Sequence, residues 1–412
     1  MRPKKSSFTL IGILAVLTIA LILPTGASAS GTARILYSFK DTPDGAAPYA
    51  GVILDSTGNL YGTTSQGGSA GMGTVFKVTR NSDGSWTESV LYSFAGGSDG
   101  DEPEAELVFD ATGNLYGTTV DGGDVGCGGC GTVFQLTPNS DGTWKESVLH
   151  RFTAADGLHP FSRLIFDTAG NLYGTTVWGG DISCDQANRG CGTVFKLTPN
   201  GQGSWTESVI HKFEASDGYG PTAPVVFDGA GNLYGTTGQG GTRNQGTIFK
   251  LAPQSDGTWT ASVLHSFTGR GDGQNPSGGL VFDGANLYGT NLQGGNTNNG
   301  VVFKVDTKGH LKVFPNHPGS DLRVGLIVGP GHTLYGNSVS TGPLDGGGGI
   351  IFKLTIQSGG VGTFTELHRF HGKPAMRPWG TLVRAKGGSL YGTTHACGKG
   401  EGCEGTVFEI KP

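Results

Sequence analysis

The chain has 412 residues, 76 of them glycine, and a formal net charge of −5. Acidic residues spread along its length exclude the basic footprint of a nucleic-acid binder or of a protein held on anionic membrane. The glycines recur at fixed offsets between strand-like runs, which marks them as turn residues and excludes a disordered low-complexity polymer.

Arg2, Lys4 and Lys5 precede an apolar run from Phe8 to Leu23, then Pro24 and the small-residue stretch Gly26-Ala27-Ser28-Ala29. A basic start, a short apolar centre and an Ala-x-Ala site form a secretory signal peptide, here cleaved after Ala29. The alternative is an uncleaved anchor, for which the run is short against a span of about 20 residues. Cleavage leaves 30–412 as one domain, exported to the periplasm or beyond the cell, and the loss of three cations takes the formal charge from −5 to −8. No later segment is apolar enough to cross a bilayer.

The remainder is repetitive. Leu-Tyr-Gly-Thr-Thr begins at Leu60, Leu115, Leu172, Leu233 and Leu390, with variants at Leu287 and Leu334. A second phrase of the form Val-Leu-His-Ser-Phe ends at Phe94, Phe152, Phe213, Phe267, Phe314 and Phe370. Its seventh copy, Ile35 to Phe39, stands at the other end of the chain. This offset predicts an all-β ring, a seven-bladed β-propeller whose N-terminal strand completes the last blade and removes the exposed sheet edges.

Four strands per repeat are expected, read in repeat two as Glu106 to Asp110, Asn114 to Thr119, Gly131 to Leu136 and Trp144 to Phe152, and denoted A to D. Val, Ile, Phe, Tyr and Thr dominate them, and no helical apolar period occurs after Ala29. Strand A is almost wholly apolar, as in Leu164-Ile165-Phe166, which predicts burial on both faces. Asp-x-x-Gly-Asn between A and B, at Asp55, Asp110, Asp167 and Asp228, is tight-hairpin chemistry. So is the Asn-Ser-Asp-Gly-Thr-Trp run from Asn139 to Trp144 between C and D, where Asp-Gly-Thr-Trp loosely resembles the structural Asp-box of sialidase-type propellers.

Gly-Asn-Leu-Tyr-Gly-Thr-Thr, a Gly-Gly-rich loop, Gly-Thr-Val-Phe-Lys and the Trp-x-x-x-Val-Leu-His-Ser-Phe strand follow one another across the chain. In this combination the sequence resembles the GloVer tandem repeat of bacterial choice-of-anchor exported proteins. The resemblance implies export and repetition, and carries no reaction or catalytic residues. The C-terminal surface anchor typical of that family is not expected here.

In such blades the B-to-C and D-to-A connections emerge on one face and the tight hairpins on the other, so a ligand site is expected on the loop-rich face around the channel. All six cysteines fall in B-to-C loops as local pairs, Cys127 with Cys130, Cys184 with Cys191 and Cys397 with Cys403, read as disulfides of an exported protein. The alternative for Cys127 and Cys130 is a redox pair or half a metal site. The D-to-A loops carry Asp-Gly-x-x-Pro at Asp44, Asp99, Asp156, Asp217 and Asp272: either a turn, or a ring of carboxylates at the channel mouth. Asp99, Asp101 and Glu102 form the densest acidic cluster and the candidate calcium site; no other cofactor is expected.

His150, His211, His265 and His368 recur at one position of strand D, where Tyr37 and Tyr92 substitute, and are read as packing residues. Trp178 and Trp379 break the repeat. Together with His159, Arg163 and Tyr219 they are the candidate ligand-binding residues, since an aromatic face beside hydrogen-bonding groups suits a sugar ring. The expected function is a monomeric, non-catalytic propeller that binds carbohydrate or a protein partner. One alternative is a glycoside hydrolase or polysaccharide lyase using Asp101, Glu102, His159 and Arg163; another is a structural envelope component.

Overall fold

A computed structural model of the chain describes residues 32–412 apart from 124, 125, 185, 186, 202, 296, 316, 341–347, 373, 374 and 397–403. The export signal and the Cys397 and Cys403 pair lie outside the described residues. Seven four-stranded antiparallel sheets, each in the order A-B-C-D, form a seven-bladed β-propeller. In blade 2 the strands are Val108–Phe109, Leu115–Thr119, Thr132–Pro138 and Trp144–Arg151. Among the described residues the helical content is one 3-10 turn, Ile182–Cys184, and no helix is long and apolar enough to cross a membrane.

The ring closes as the repeat offset requires. Ala33–Ser38 is the D strand of blade 7 and pairs with Thr406–Ile410, Ala33 opposite Ile410 and Ser38 opposite Thr406. The Phe that ends each D strand is inserted against strand C of the next blade: Phe39 on Phe76, Phe94 on Phe134 and Phe152 on Phe195, with ring centroids 4.9, 5.1 and 4.9 Å apart. Each core cluster therefore joins two neighbouring blades, and no blade buries its apolar faces alone.

Strand A departs from expectation. It is two or three residues long and only half buried, as at Val281 and Phe282, where it lines an open channel. Strand B is the buried one: all five residues of Leu115–Thr119 are inaccessible. Its glycine is required by packing, since a Cβ on Gly117 would lie 2.6 Å from Phe134 Cζ and 3.0 Å from Leu107 Cδ2. The threonine after it binds the next blade: Thr63 Oγ1 donates to Ala105 O at 3.1 Å, and Thr393 Oγ1 to Ala50 O at 2.6 Å across the closure.

The A-to-B hairpins are built as predicted. Asp110 Oδ1 accepts the Thr112 and Asn114 amides at 2.8 and 2.9 Å, and Oδ2 accepts Asn114 Nδ2 at 2.7 Å and the Tyr116 hydroxyl at 3.1 Å. Burial works against the charge, but these bonds win and hold Asp110 below the usual carboxylate range.

Candidate functional site

The D-to-A turn determines what reaches the channel. Its Asp faces outward to strand D: the Tyr92 hydroxyl donates to Asp99 at 2.7 Å, and His150, His211 and His265 Nε2 lie 3.0, 3.0 and 3.1 Å from Asp156, Asp217 and Asp272. The same carboxylates accept turn amides, those of Ala95 at 2.7 Å and Thr153 at 2.6 Å. The turn Asp residues thus do not ring the channel mouth. The recurring His or Tyr of strand D also packs its ring edge on the Phe two residues on, His150 to Phe152 at 4.7 Å.

Three residues after the place of that Asp, which Pro318 and Pro374 take in blades 6 and 7, the backbone is left-handed in every blade: Ala47, Glu102, His159, Gly220, Asn275, Asp321 and Arg377 have φ between 52° and 65°. This conformation costs about 1–2 kcal/mol for a non-glycine residue, so the surroundings must impose it. They do so by a backbone staple. His159 N–H donates to Cys130 O of the preceding blade at 2.9 Å, while His159 O accepts Val177 N–H of its own blade at 3.2 Å. Gly220 N–H likewise donates to Cys191 O at 3.0 Å. The Cys127–Cys130 and Cys184–Cys191 disulfides are formed and close the loops that carry these acceptors.

The turn delivers the following residues to the axis. Tyr49, Glu104, Phe161, Thr222, Ser277, Arg323 and Trp379 take equivalent places in the seven blades and line a cavity of about 320 Å³ at the channel mouth. Two residues further on, Glu106, Arg163 and Thr381 line both this cavity and a second one of about 430 Å³ between the A strands. Arg163 Nη1 is 3.3 Å from Glu106 Oε2. The fold is repeated, but the first of these positions carries seven different residues in the seven blades.

The mouth is electrostatically divided. Burial, then the charges of Glu102 and Asp121, push the Glu104 carboxyl up to about 8. Asp101 and Glu102 are also raised, chiefly by burial. Across the blade 7 to blade 1 closure, Trp379 stacks on His395 at 5.0 Å and meets Tyr49 at 4.7 Å, with the Arg323 guanidinium 5.6 Å from the Trp379 ring. Burial, then Arg377, lowers His395, so its imidazole is neutral at pH 7. Trp379 Nε1 and Ser277 Oγ are buried and lack a partner among the described residues.

The residues singled out in sequence divide into two groups. Arg163 and Trp379 line the mouth. His159, Trp178 and Tyr219 gather on the outer part of the loop-rich face: His159 is 5.0 Å from Trp178, Arg189 lies 4.5 Å over the Trp178 ring, and Arg189 Nη2 is 3.4 Å from the Tyr219 hydroxyl. His159 Nε2 also stands 3.4 Å from Asp121 Oδ1. Of the candidate calcium ligands, Asp99 accepts from the Tyr92 hydroxyl and the Ala95 amide, and the Asp101 backbone pairs with that of Asp121. Sequence reasoning missed Tyr49, Glu104, Glu106, Phe161, Arg323 and His395. Aligning the loops on the Asp-Gly turn exposes most of them, because repeat identity is lost just after the Pro.

Repeat composition, ring closure and the matched family model agree: the model of the Gloeobacter/Verrucomicrobia repeat covers residues 25–185 and 182–362. The chain belongs to the Gloeobacter/Verrucomicrobia repeat family. No curated protein matches it in sequence. Among solved structures this family member is similar to a streptogramin B lyase, with 13% identity, TM-score 0.56 and coverage of 93% of this chain and 98% of the other. It is similar also to a catalytically inactive virginiamycin B lyase from Staphylococcus aureus with quinupristin, at 14% identity, TM-score 0.54 and coverage of 92% and 99%. An ancestral GH74 enzyme gives 12% identity and TM-score 0.58 over 90% of this chain and 48% of that one. At such identities the likeness is one of fold.

Proposed function

We propose that this repeat protein is an exported, non-catalytic, monomeric binding module that takes a carbohydrate at the channel mouth. One observation carries the reading: at equivalent places in seven near-identical blades stand Tyr49, Glu104, Phe161, Thr222, Ser277, Arg323 and Trp379, around a cavity of about 320 Å³. Repeat identity kept along the strands and lost at all seven places in the wall of one cavity supports a ligand site, since packing alone would retain the repeat residue. Aromatic faces of Tyr49 and Trp379 suit the apolar face of a sugar ring. Ligand hydroxyls would satisfy the buried Trp379 Nε1 and Ser277 Oγ. Export is supported by the two disulfides, which belong to an oxidising compartment.

A second reading rests on Glu104 and Glu106. One carboxyl held neutral beside another that is ion-paired, in one pocket, is the arrangement glycoside hydrolysis uses for acid and base.

The test is a glycan array of the purified 30–412 protein, followed by calorimetry on each hit and incubation with a polysaccharide panel. Binding weakened at least tenfold in Trp379→Ala, with no release of reducing ends or unsaturated sugars, is expected. Release that disappears in Glu104→Gln would select the hydrolytic reading, and a blank array would move the site's ligand to a protein.

A further inference from the structure

On the outer rim between blades 2 and 3, His150, Asp156 and Glu207 converge, one ligating atom of each lying within 4.8 Å of the others. His150 belongs to strand D of blade 2, Asp156 to the turn that follows, and Glu207 to strand D of blade 3, Trp205–Lys212. His150 Nε2 is 3.0 Å from Asp156 Oδ2, with side chains 19% and 20% exposed. Thr153 fixes Asp156 from the other side, donating its amide and its hydroxyl to Oδ1 at 2.6 and 3.0 Å. Glu207 Oε1 is buried with no partner among the described residues.

We propose that these three side chains bind a divalent transition-metal ion of the zinc or manganese class, through His150 Nε2, Asp156 Oδ2 and the Glu207 carboxylate, with water completing the shell. One imidazole and two carboxylates form an accepted ligand set for such ions. Bonds of about 2.1 Å in a tetrahedral site place ligand atoms about 3.4 Å apart, so the 3.0 Å His150–Asp156 pair needs to open slightly and Glu207, within 4.8 Å of both, to close to that spacing. The metal supplies what Glu207 Oε1 lacks, a positive partner in a buried place. The Thr153 bonds to Asp156 supply the orienting outer shell such sites require.

Four other junctions contain the same arrangement with one component changed. Tyr92, Asp99 and Glu146 replace the imidazole by a phenol that donates to Asp99, and Glu146 Oε1 is likewise buried and unpartnered among the described residues. His211 with Asp217, and His265 with Asp272, keep the pair, but Ala261 and Leu311 stand at the register position of Glu207. Only the blade 2 to blade 3 junction combines all three ligands among the described residues.

These junctions supply variants that the fold already accommodates. Untagged 30–412 protein is incubated with zinc or manganese, dialysed, and assayed for bound metal and thermal unfolding. One ion per chain is expected, with a rise in Tm that a chelator reverses. His150→Tyr, which installs the blade 1 residue, and Glu207→Gln should each lose the ion while keeping the Tm of the metal-free parent. Tyr92→His should bind a second ion through Asp99 and Glu146. Absence of stoichiometric metal in the parent, or an ion retained in both loss variants, overturns the site.

Discussion

Arg163 Nη1 lies 3.3 Å from Glu106 Oε2, an ion pair that joins blades 2 and 3 where the two channel cavities meet. The Glu106 side chain is 14% exposed and that of Arg163 42%, so the acid depends on this partner more than the base does. Arg163→Ala should destabilise the fold by about 1–2 kcal/mol, below the 3–5 kcal/mol of a fully buried pair. Adding Glu106→Gln should restore part of the loss. Denaturant unfolding of both single variants and the double variant measures the coupling, and additive effects would show the pair to be idle.

Closure by the first strand makes a local truncation a global event. Phe39 is fully buried on Phe76 of blade 1, and Leu36 shares the same core cluster. Phe39→Ala should cost about 3–5 kcal/mol. Removing residues 32–39 should go further and abolish the cooperative thermal transition, whereas loss of a terminal segment that packs on nothing is normally silent. A truncated protein that melts like the parent would refute the closed ring.

The glycine of strand B is under a steric rather than a conformational demand. Gly117→Ala places a methyl 2.6 Å from Phe134 Cζ and should destabilise by about 1–3 kcal/mol. Phe134→Leu in the same chain should lessen that penalty, because the ring is what the methyl meets. Equal penalties in the two backgrounds would assign the effect to the backbone.

Stability should fall as pH rises. Burial, then Asp44 for Glu88 and Asp99 for Glu146, pushes both carboxyls up to about 7, against an ordinary value of 4.5. The folded state therefore holds protons that the unfolded chain releases. This contribution is complete below pH 4.5 and is lost as pH climbs through 7. Tm should be lower at pH 8 than at pH 5, and Glu88→Gln with Glu146→Gln should flatten the profile. A pH-independent Tm in the parent would contradict the assignment.

The fold was legible because its information is local and repeated. Strand phrases, hairpin Asp residues and the displaced Ile35 to Phe39 copy each point to one closed ring. The inner strand was misread since apolar character alone does not distinguish a wall of the channel at Val281 and Phe282 from a strand packed on both sides. The site was legible in part. Trp379 and Arg163 stood out as departures from the repeat and line the mouth, but His159, Trp178 and Tyr219 stood out equally and sit on the rim. What separates the groups is the left-handed residue before the Pro, at Ala47, Glu102, His159 or Arg377. Such residues do not announce a positive φ, so the direction in which the chain then throws its side chains could not be read from them.

The central claim is that ligand binds at the channel mouth and not on the outer loops, and the direct measurement is binding of one array-identified glycan to the parent, Trp379→Ala and Trp178→Ala under identical conditions. The account predicts that Trp379→Ala loses binding at least tenfold while Trp178→Ala binds as the parent does. Loss in Trp178→Ala with full binding in Trp379→Ala would contradict it and move the site to the rim formed by His159, Trp178 and Tyr219.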